Sequence, residues 1–117
     1  MNIKIKRVYE QPDKDDGRRI LVDRLWPRGL TKEKADVDLW LKDIAPSTEL
    51  RKWFGHDPDR WEEFKERYRA ELEEAGKMGV LRDIAKRARE ENVTLLFGAK
   101  DTRHNDAQAL EAFIREV

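Results

Sequence analysis

The sequence predicts a single α/β domain, in which a small, mostly parallel sheet of three or four strands is covered by helices. Two short aliphatic runs, 20–22 and 93–97, are typical of strands that are buried on both faces. The chain between them has helical apolar spacings, and strands joined through helices pair in parallel by a right-handed crossover. Because 117 residues suit one domain, we expect 1–117 to form a single unit.

Two strands and a short helix are expected in the first part of the chain. Aliphatic residues alternate with lysine over 3–9, which predicts a strand. Turn formers and charges over 11–17 indicate an exposed loop. A second strand is predicted over 19–26, and its aliphatic centre implies helices on both sides of the sheet. Apolar residues at 40, 41 and 44 are spaced as in a short helix that Pro46 ends.

Helices dominate the rest of the chain, apart from the strand at 93–97. They are predicted over about 48–53, 58–75 and 79–90, and from residue 105 onward. Ser47 and Asn105 suit helix N-caps, because their side-chain oxygens can accept a backbone N–H. Gly55 suits the left-handed conformation that closes a helix.

Composition narrows the classes of function. The 25 basic residues balance the 25 acidic ones, so no net field attracts a nucleic acid or a membrane surface. A nucleic acid is therefore the less favoured partner but stays open, and no membrane partner is expected. The absence of cysteine excludes a thiol nucleophile and suits a reducing compartment. No apolar stretch approaches the roughly 18 residues of a spanning helix, and no apolar leader is visible, so we expect a cytoplasmic protein.

The chemically useful side chains are concentrated in two loops, 23–29 and 98–105. In open α/β sheets, ligands bind beyond the carboxyl ends of parallel strands, and these loops follow the two buried strands. If the strands are neighbours, the loops meet at one edge of the sheet. They would then bring together a set of charged and polar residues: Asp23, Arg24, Arg28, Lys100, Asp101, His104 and Asn105.

Such a pocket would suit an anionic small molecule that carries a phosphate or carboxylate group. Arg24 and Arg28 would hold the anion, because a guanidinium group binds these groups with two parallel hydrogen bonds. Lys100 would add positive charge. The helix that begins at Asn105 would add backbone N–H donors and a favourable dipole.

The same loops contain three candidates for a catalytic role. Asp23 or Asp101 would orient the arginines or act as a base, and His104 is a candidate proton carrier near neutral pH. The chain has no phosphate loop, dinucleotide fingerprint, nucleophile elbow or zinc-protease signature. The sequence therefore predicts no metal site and leaves the cofactor, the oligomeric state and catalysis itself open.

Two other interpretations compete with the anion site. With 43% charged residues, Arg24 could simply form a fold-stabilising ion pair with Asp23 or Asp101. Alternatively, the chain is a non-catalytic module that binds a protein or a nucleic acid. That function would be indicated by Trp26 or Trp40 exposed in an apolar patch with no pocket nearby.

Four segments have a recognisable pattern: Lys6-Arg7-Val8-Tyr9, Leu21-Val22-Asp23-Arg24-Leu25-Trp26-Pro27-Arg28-Gly29, Ala45-Pro46-Ser47-Thr48-Glu49-Leu50-Arg51, and Thr94-Leu95-Leu96 followed by Ala99-Lys100. Together they resemble the YeaO-like branch of the family called domain of unknown function 488, over nearly the whole chain. The resemblance implies membership but no activity, because the family has none established.

The chain departs from the family pattern in two places. Related members of the branch tend to have Asn-His-Ala at the start of the last helix, where this chain reads Asn105-Asp106-Ala107. A histidine at that step is therefore not essential here. More distant relatives carry cysteines near the last strand and helix. Since this chain has no cysteine, any activity shared across the family would have to work without sulfur.

Overall fold

Four parallel strands form the centre of the structure, a computed structural model that describes all of residues 1–117. The strands are β1 (Ile3–Arg7), β2 (Arg18–Leu21), β3 (Leu39–Trp40) and β4 (Val93–Phe97). They lie in the order β1-β4-β2-β3, and all neighbours pair in parallel. The two strands predicted to be buried are thus adjacent at the centre of the sheet. This arrangement confirms the α/β class with a parallel sheet.

Five helices surround the sheet: α1 (Lys32–Ala35), α2 (Thr48–Phe54), α3 (Trp61–Glu74), α4 (Met78–Glu90) and α5 (Asp106–Glu116). The predicted caps are confirmed. Ser47 Oγ accepts the Leu50 N–H at 3.1 Å, and Asn105 Oδ1 accepts the Gln108 N–H at 2.9 Å. Gly55 ends α2 with a left-handed φ of 53°. None of the helices combines the length and apolar character needed to cross a membrane.

The apolar core is divided between the two faces of the sheet. The larger cluster joins one face to the apolar sides of α2, α3, α4 and α5. Leu95 belongs to this cluster, whereas the next residue, Leu96, belongs to a smaller one with Ala35 of α1. Successive strand residues point to opposite faces, so the second face is covered only by the one-turn α1 and adjacent loops. The expectation of helices on both sides is met by this single turn.

Two elements differ from their predicted form. β2 ends at Leu21 rather than near residue 26, because Asp23 Oδ2 accepts the Gly98 N–H at 2.8 Å and the chain then leaves the sheet. The prediction of a helix that includes residue 40 is wrong. Trp40 lies in β3, where it pairs with Leu21, and only Lys42–Ile44 forms a 3-10 turn. Pairing at the edge of the sheet has overridden the helical spacing.

The loop over 11–17 contains a buried charge that its polar composition conceals. Asp16 is fully buried, and its carboxylate forms ion pairs with Lys4, Lys6 and Arg19. It also accepts the Asp13 N–H at 3.0 Å. Burial raises the pKa of Asp16, but these hydrogen bonds outweigh burial and hold the pKa well below its usual range. The exposed loop predicted here is therefore wrong at Asp16, which fastens the loop to the sheet.

Candidate functional site

A pocket of about 380 Å³ lies beyond the carboxyl ends of β2 and β4, where loops 23–29 and 98–105 meet. The first loop contributes Asp23, Arg24 and Leu25, and the second contributes Ala99, His104 and Asn105. The remaining lining residues come mainly from α2 and its ends, from α3 and from the start of α5: Pro46, Thr48, Arg51, Lys52, Phe54, His56, Phe64 and Asp106. The pocket thus occupies the position where this fold class binds ligands.

The structure brings four of the seven predicted site residues into this pocket: Asp23, Arg24, His104 and Asn105. Arg28 and Lys100 lie outside it, and both side chains are exposed. Tyr9 donates its hydroxyl hydrogen bond to the Arg28 carbonyl at 2.9 Å, which fixes the backbone at this point of the loop. The predicted meeting of the loops is therefore observed, but only part of their charge faces the pocket.

Hydrogen bonds hold loop 98–105 against loop 23–29 and against β1. Besides the bond from Gly98 N to Asp23 Oδ2, Arg7 donates from Nε to the Ala99 carbonyl at 2.9 Å and from Nη2 to the Gly98 carbonyl at 3.1 Å. A Cβ at residue 98 would lie 3.3 Å from Asp23 Oδ2, so glycine permits the close approach. The floor of the pocket is consequently preorganised.

Three cations line the pocket without forming an ion pair: Arg24, Arg51 and Lys52. Arg24 makes only long contacts, from Nη2 to the Ala45 and Pro46 carbonyls at 3.4 and 3.3 Å. Its Nε is buried and has no hydrogen-bond partner within the protein. Arg24 therefore has unused hydrogen-bonding capacity.

Asp23 and Asp106 form a carboxyl pair in the pocket wall. Burial is the largest influence on Asp106 and raises its pKa well above the usual range, and the charge and hydrogen bond of Asp23 raise it further. The Ala107 N–H and the Arg51 charge act in the opposite direction but do not cancel these effects. The surroundings of Asp106 therefore favour its protonated form.

Beneath this pair lies Tyr68, which is fully buried and donates its hydroxyl to the Ile44 carbonyl at 2.5 Å. Burial is the main reason that its pKa is raised well above the usual range, and the nearby Asp106 and Asp23 carboxyls raise it further. The phenol is therefore a neutral hydrogen-bond donor that holds the chain before α2 against α3.

Asp101 lies behind His104 and holds its imidazole. Asp101 Oδ2 and His104 Nδ1 are 3.0 Å apart, while Oδ1 accepts the backbone N–H groups of Arg103 and His104. The Arg103 N–H is the largest influence on Asp101; partial burial opposes it, and the contacts with His104 help to keep the pKa of this carboxyl below its usual value. The Trp61 ring meets the imidazole edge to face at 5.4 Å. This arrangement orients His104 and leaves Nε2 as the nitrogen free to exchange a proton.

Asn105 is committed to the fold. Its Oδ1 caps α5, and its Nδ2 donates to the Asp101 carbonyl at 2.9 Å. Both halves of the amide are thus engaged with the protein, although the residue lines the pocket. Its direct contribution is to place the start of α5, and with it Asp106, at the edge of the sheet.

Sequence reasoning missed five polar residues of the pocket: Thr48, Arg51, Lys52, His56 and Asp106. The helix that carries Arg51 and Lys52 was predictable from its caps, but its position beside β2 depends on tertiary packing. His56 adopts a positive φ of 57°, which no local pattern announces. Asp106 was noticed only as a departure from the family pattern. No group of three or more His, Asp or Glu side chains is placed to hold a metal ion.

Comparison with known proteins places the chain in a family. A family model described as "Inactive DUF488-N3 subclade" matches residues 2–117. The uncharacterized protein YeaO of Escherichia coli is 48% identical over 120 residues, which cover 100% of both chains. The chain is a YeaO-like member of the DUF488 family. Membership in DUF488 confirms the resemblance seen in the four sequence segments.

Other uncharacterized relatives align with only part of the chain. Uncharacterized proteins of Mycobacterium tuberculosis and Mycobacterium bovis are 46% identical over 86 residues, which cover 74% of this chain and 73% of theirs. No solved structure matches the chain. The family model and YeaO establish family membership, and none of these relatives has a name that assigns an activity.

Proposed function

We propose that the protein binds a small anionic molecule, with a phosphate or carboxylate group, in the pocket at the carboxyl edge of the sheet. The observation that carries the proposal is the set of cations without carboxylate partners: Arg24, Arg51 and Lys52. Buried polar groups in proteins are normally hydrogen-bonded, so an unpartnered Arg24 Nε in a pocket wall favours an acceptor from outside the chain. The ligand oxygens supply that acceptor.

The ligand set differs from the one predicted from the sequence. Arg24 remains in it, while Arg51 and Lys52 of α2 take the places of Arg28 and Lys100, which lie outside the pocket. Guanidinium groups favour planar or tetrahedral oxyanions because they bind them in a bidentate manner. A volume of about 380 Å³ is near the lower end of small-ligand pockets, which favours a metabolite over a large cofactor.

The competing ion-pair interpretation has less support. Arg24 forms no salt bridge with Asp23 or Asp101, because Asp23 is paired with Asp106 and Asp101 is paired with His104. The arginine is therefore not explained as part of a closed structural network.

The alternative function, a module that binds a protein or a nucleic acid, would be indicated by an exposed Trp26 or Trp40, and neither side chain is exposed. Trp26 and Trp40 are half-buried and contact each other edge to face at 5.4 Å. Their indole N–H groups donate to the Leu30 and Asp23 carbonyls at 2.8 and 2.7 Å. These tryptophans support the smaller core cluster, and we retain the small-molecule proposal.

We propose binding without turnover. The word "inactive" in the description of the matching family supports this choice. In the proposed complex, His104 is a hydrogen-bonding group held by Asp101, and Asp23 shapes the wall, so neither needs to act as a base. The lack of cysteine supports a cytoplasmic location, which cell fractionation with an antibody to the protein tests.

Isothermal titration calorimetry and thermal-shift assays with phosphate, sulfate and a panel of phosphorylated and carboxylated metabolites test the proposal. The decisive variants are Arg24→Gln and Arg51→Gln, and Arg28→Gln is a matched control because its side chain lies on the same loop outside the pocket. We expect wild type and the control to bind alike, and each pocket variant to bind about tenfold or more weakly, the loss of one charge-assisted hydrogen-bonding group. The proposal fails if no anion binds the folded wild type, or if the pocket variants bind as well as the control.

A further inference from the structure

The carboxyl groups of Asp23 and Asp106 line the same pocket, and Asp23 lies near enough to raise the pKa of Asp106. Two ionised carboxylates in one pocket wall repel each other, so the pocket favours a proton on one of them. Backbone amides hold both side chains in place: Gly98 N–H donates to Asp23 Oδ2 at 2.8 Å, and Ala107 N–H donates to Asp106 Oδ1 at 2.9 Å. The backbone thus fixes both acids in the pocket wall.

We propose that the pocket binds its anion together with the proton of this carboxyl pair, so that the site is a proton-coupled oxyanion site. The inference rests on the proposed function and deepens it, because it states the protonation state in which the pocket accepts its ligand. With one shared proton, the pair carries a single negative charge beside Arg24, Arg51 and Lys52. When that proton leaves, a second negative charge appears in the pocket wall and repels the anion.

The groups that face the pair come from every element around the pocket. Arg24 follows β2, Arg51 and Lys52 lie on α2, His56 follows α2, His104 precedes α5, and Tyr68 lies beneath on α3. The cations favour ionised acids, but burial and the mutual repulsion of the two carboxyls favour the protonated pair and outweigh the Arg51 charge at Asp106. The two histidines also line the pocket, so they are replaced in the test and only the carboxyl pair is compared.

Coupling of this kind is reciprocal. If the protonated pair favours the anion, then the bound anion favours the proton, and binding in the titration range takes up protons from the buffer. One additional charge within the width of such a pocket weakens anion binding by about tenfold or more at the effective dielectric constants of protein surfaces. Affinity is therefore highest at acidic pH and falls as the pH rises through the pKa of the pair.

Sulfate is a suitable probe, because its own charge does not change between about pH 5 and pH 9. The background protein carries His56→Gln and His104→Gln, so that the histidines do not contribute to the pH dependence of sulfate binding. Sulfate binding to this background is then compared with and without the added substitution Asp106→Asn. Asparagine keeps an oxygen for the Ala107 N–H and can donate its amide to Asp23, which imitates the protonated pair at every pH. Calorimetry in buffers of different ionisation enthalpy measures affinity and proton uptake together.

We expect sulfate affinity to fall about tenfold or more from acidic to alkaline pH in the histidine-free protein, with proton uptake on binding. With Asp106→Asn added, the acidic-pH affinity persists throughout and proton uptake disappears. The coupling is overturned if both proteins have the same pH dependence, or if Asp106→Asn strengthens binding equally at every pH, since the pair would then be fully ionised throughout. If neither sulfate nor any other anion of the panel binds at any pH, the anion-binding proposal itself is overturned, whereas binding without the coupling leaves that proposal standing.

Discussion

The substitution Asp16→Asn separates a buried charge from its partner with little change in shape. Arg19 is 3% exposed, and its side chain donates to the Asp16 carboxylate, to the Asp36 carbonyl at 2.8 Å and to the Ala35 carbonyl at 2.8 Å. With asparagine at 16, the carbonyl contacts remain but the neutralising charge is lost. Removal of one partner from a buried ion pair typically costs about 3–5 kcal/mol.

The two lysines of the cluster change this magnitude little. Lys4 is half exposed and can turn toward solvent, and exposed ion pairs contribute about 1 kcal/mol or less. Lys6 is 15% exposed, but it keeps its hydrogen bond to the Gln11 carbonyl at 2.7 Å when the Asp16 charge is removed. The expected loss in the free energy of unfolding is therefore set by Arg19, at about 3–5 kcal/mol. For a domain of this size, such a loss corresponds to a fall in Tm of roughly 10–20 °C.

Urea unfolding followed by circular dichroism at neutral pH measures this loss, and calorimetry gives the Tm. Asp15→Asn is the matched control, since Asp15 is exposed and forms no ion pair; we expect it to change stability by no more than about 0.5 kcal/mol. The lowered pKa of Asp16 also fixes the sign of a pH dependence: its stabilising contribution is complete above about pH 4 and is lost as the pH falls toward the folded-state pKa. The gap between wild type and Asp16→Asn should therefore narrow on acidification. A loss below about 1 kcal/mol at neutral pH, or a gap that widens in acid, would refute the reasoning.

Three further predictions concern single positions. Gly17→Ala should destabilise the protein by more than about 2 kcal/mol in urea unfolding, because φ is +62° and the new Cβ would lie 2.1 Å from the Asn92 carbonyl oxygen. Tyr68→Phe should cost about 1–3 kcal/mol in the same assay, because the Ile44 carbonyl loses a buried donor. Asp106→Asn should become progressively more stable than wild type as the pH rises above about 4. Because the pKa of Asp106 is raised in the folded protein, wild type loses stability from the unfolded-state pKa up to the folded-state pKa, whereas the asparagine variant does not. Thermal melts at a series of pH values measure this difference.

Matched variants define what would contradict these predictions. Gly29→Ala shares the positive φ, at +82°, but meets open space, so it should cost only about 1 kcal/mol. Equal losses for the two glycine variants would exclude the clash as the cause. Tyr9→Phe removes a hydroxyl bond at the surface and should cost less than Tyr68→Phe. For Asp106→Asn, a stability difference that stays constant from pH 4 to pH 9 would contradict a retained proton.

Local sequence patterns identified the parts of the fold that local physics determines. The aliphatic run of β4 and the caps at Ser47 and Asn105 appear where they were predicted, because burial of a short strand and capping of a helix depend on a few neighbouring residues. The edge of the sheet that holds the pocket followed from these elements and from parallel pairing. Arg24 was placed in the pocket by the same reasoning.

Contacts between distant segments account for what the sequence did not reveal. Trp40 pairs with β2 across nearly twenty residues of chain, so its helical spacing was misleading. Arg28 lies on the predicted loop, yet the loop turns its side chain to solvent beside the Tyr9 contact. The meeting of Asp23 and Asp106 in the pocket joins segments far apart in the chain, and neither residue has a local signature that predicts it.

The proposed anion site depends most on the Nε–H of Arg24, a buried donor without a partner in the protein, and this group can be observed directly. In nitrogen-15 NMR spectra, titration with phosphate reports on the Arg24 Nε–H and on the backbone amides of Arg51 and Lys52. We predict saturable shifts of these signals with a common affinity, and no comparable shift at Arg28 or Lys100. Shifts that are greatest at Arg28 and Lys100, or that increase linearly without saturation at Arg24, would contradict the proposed anion site.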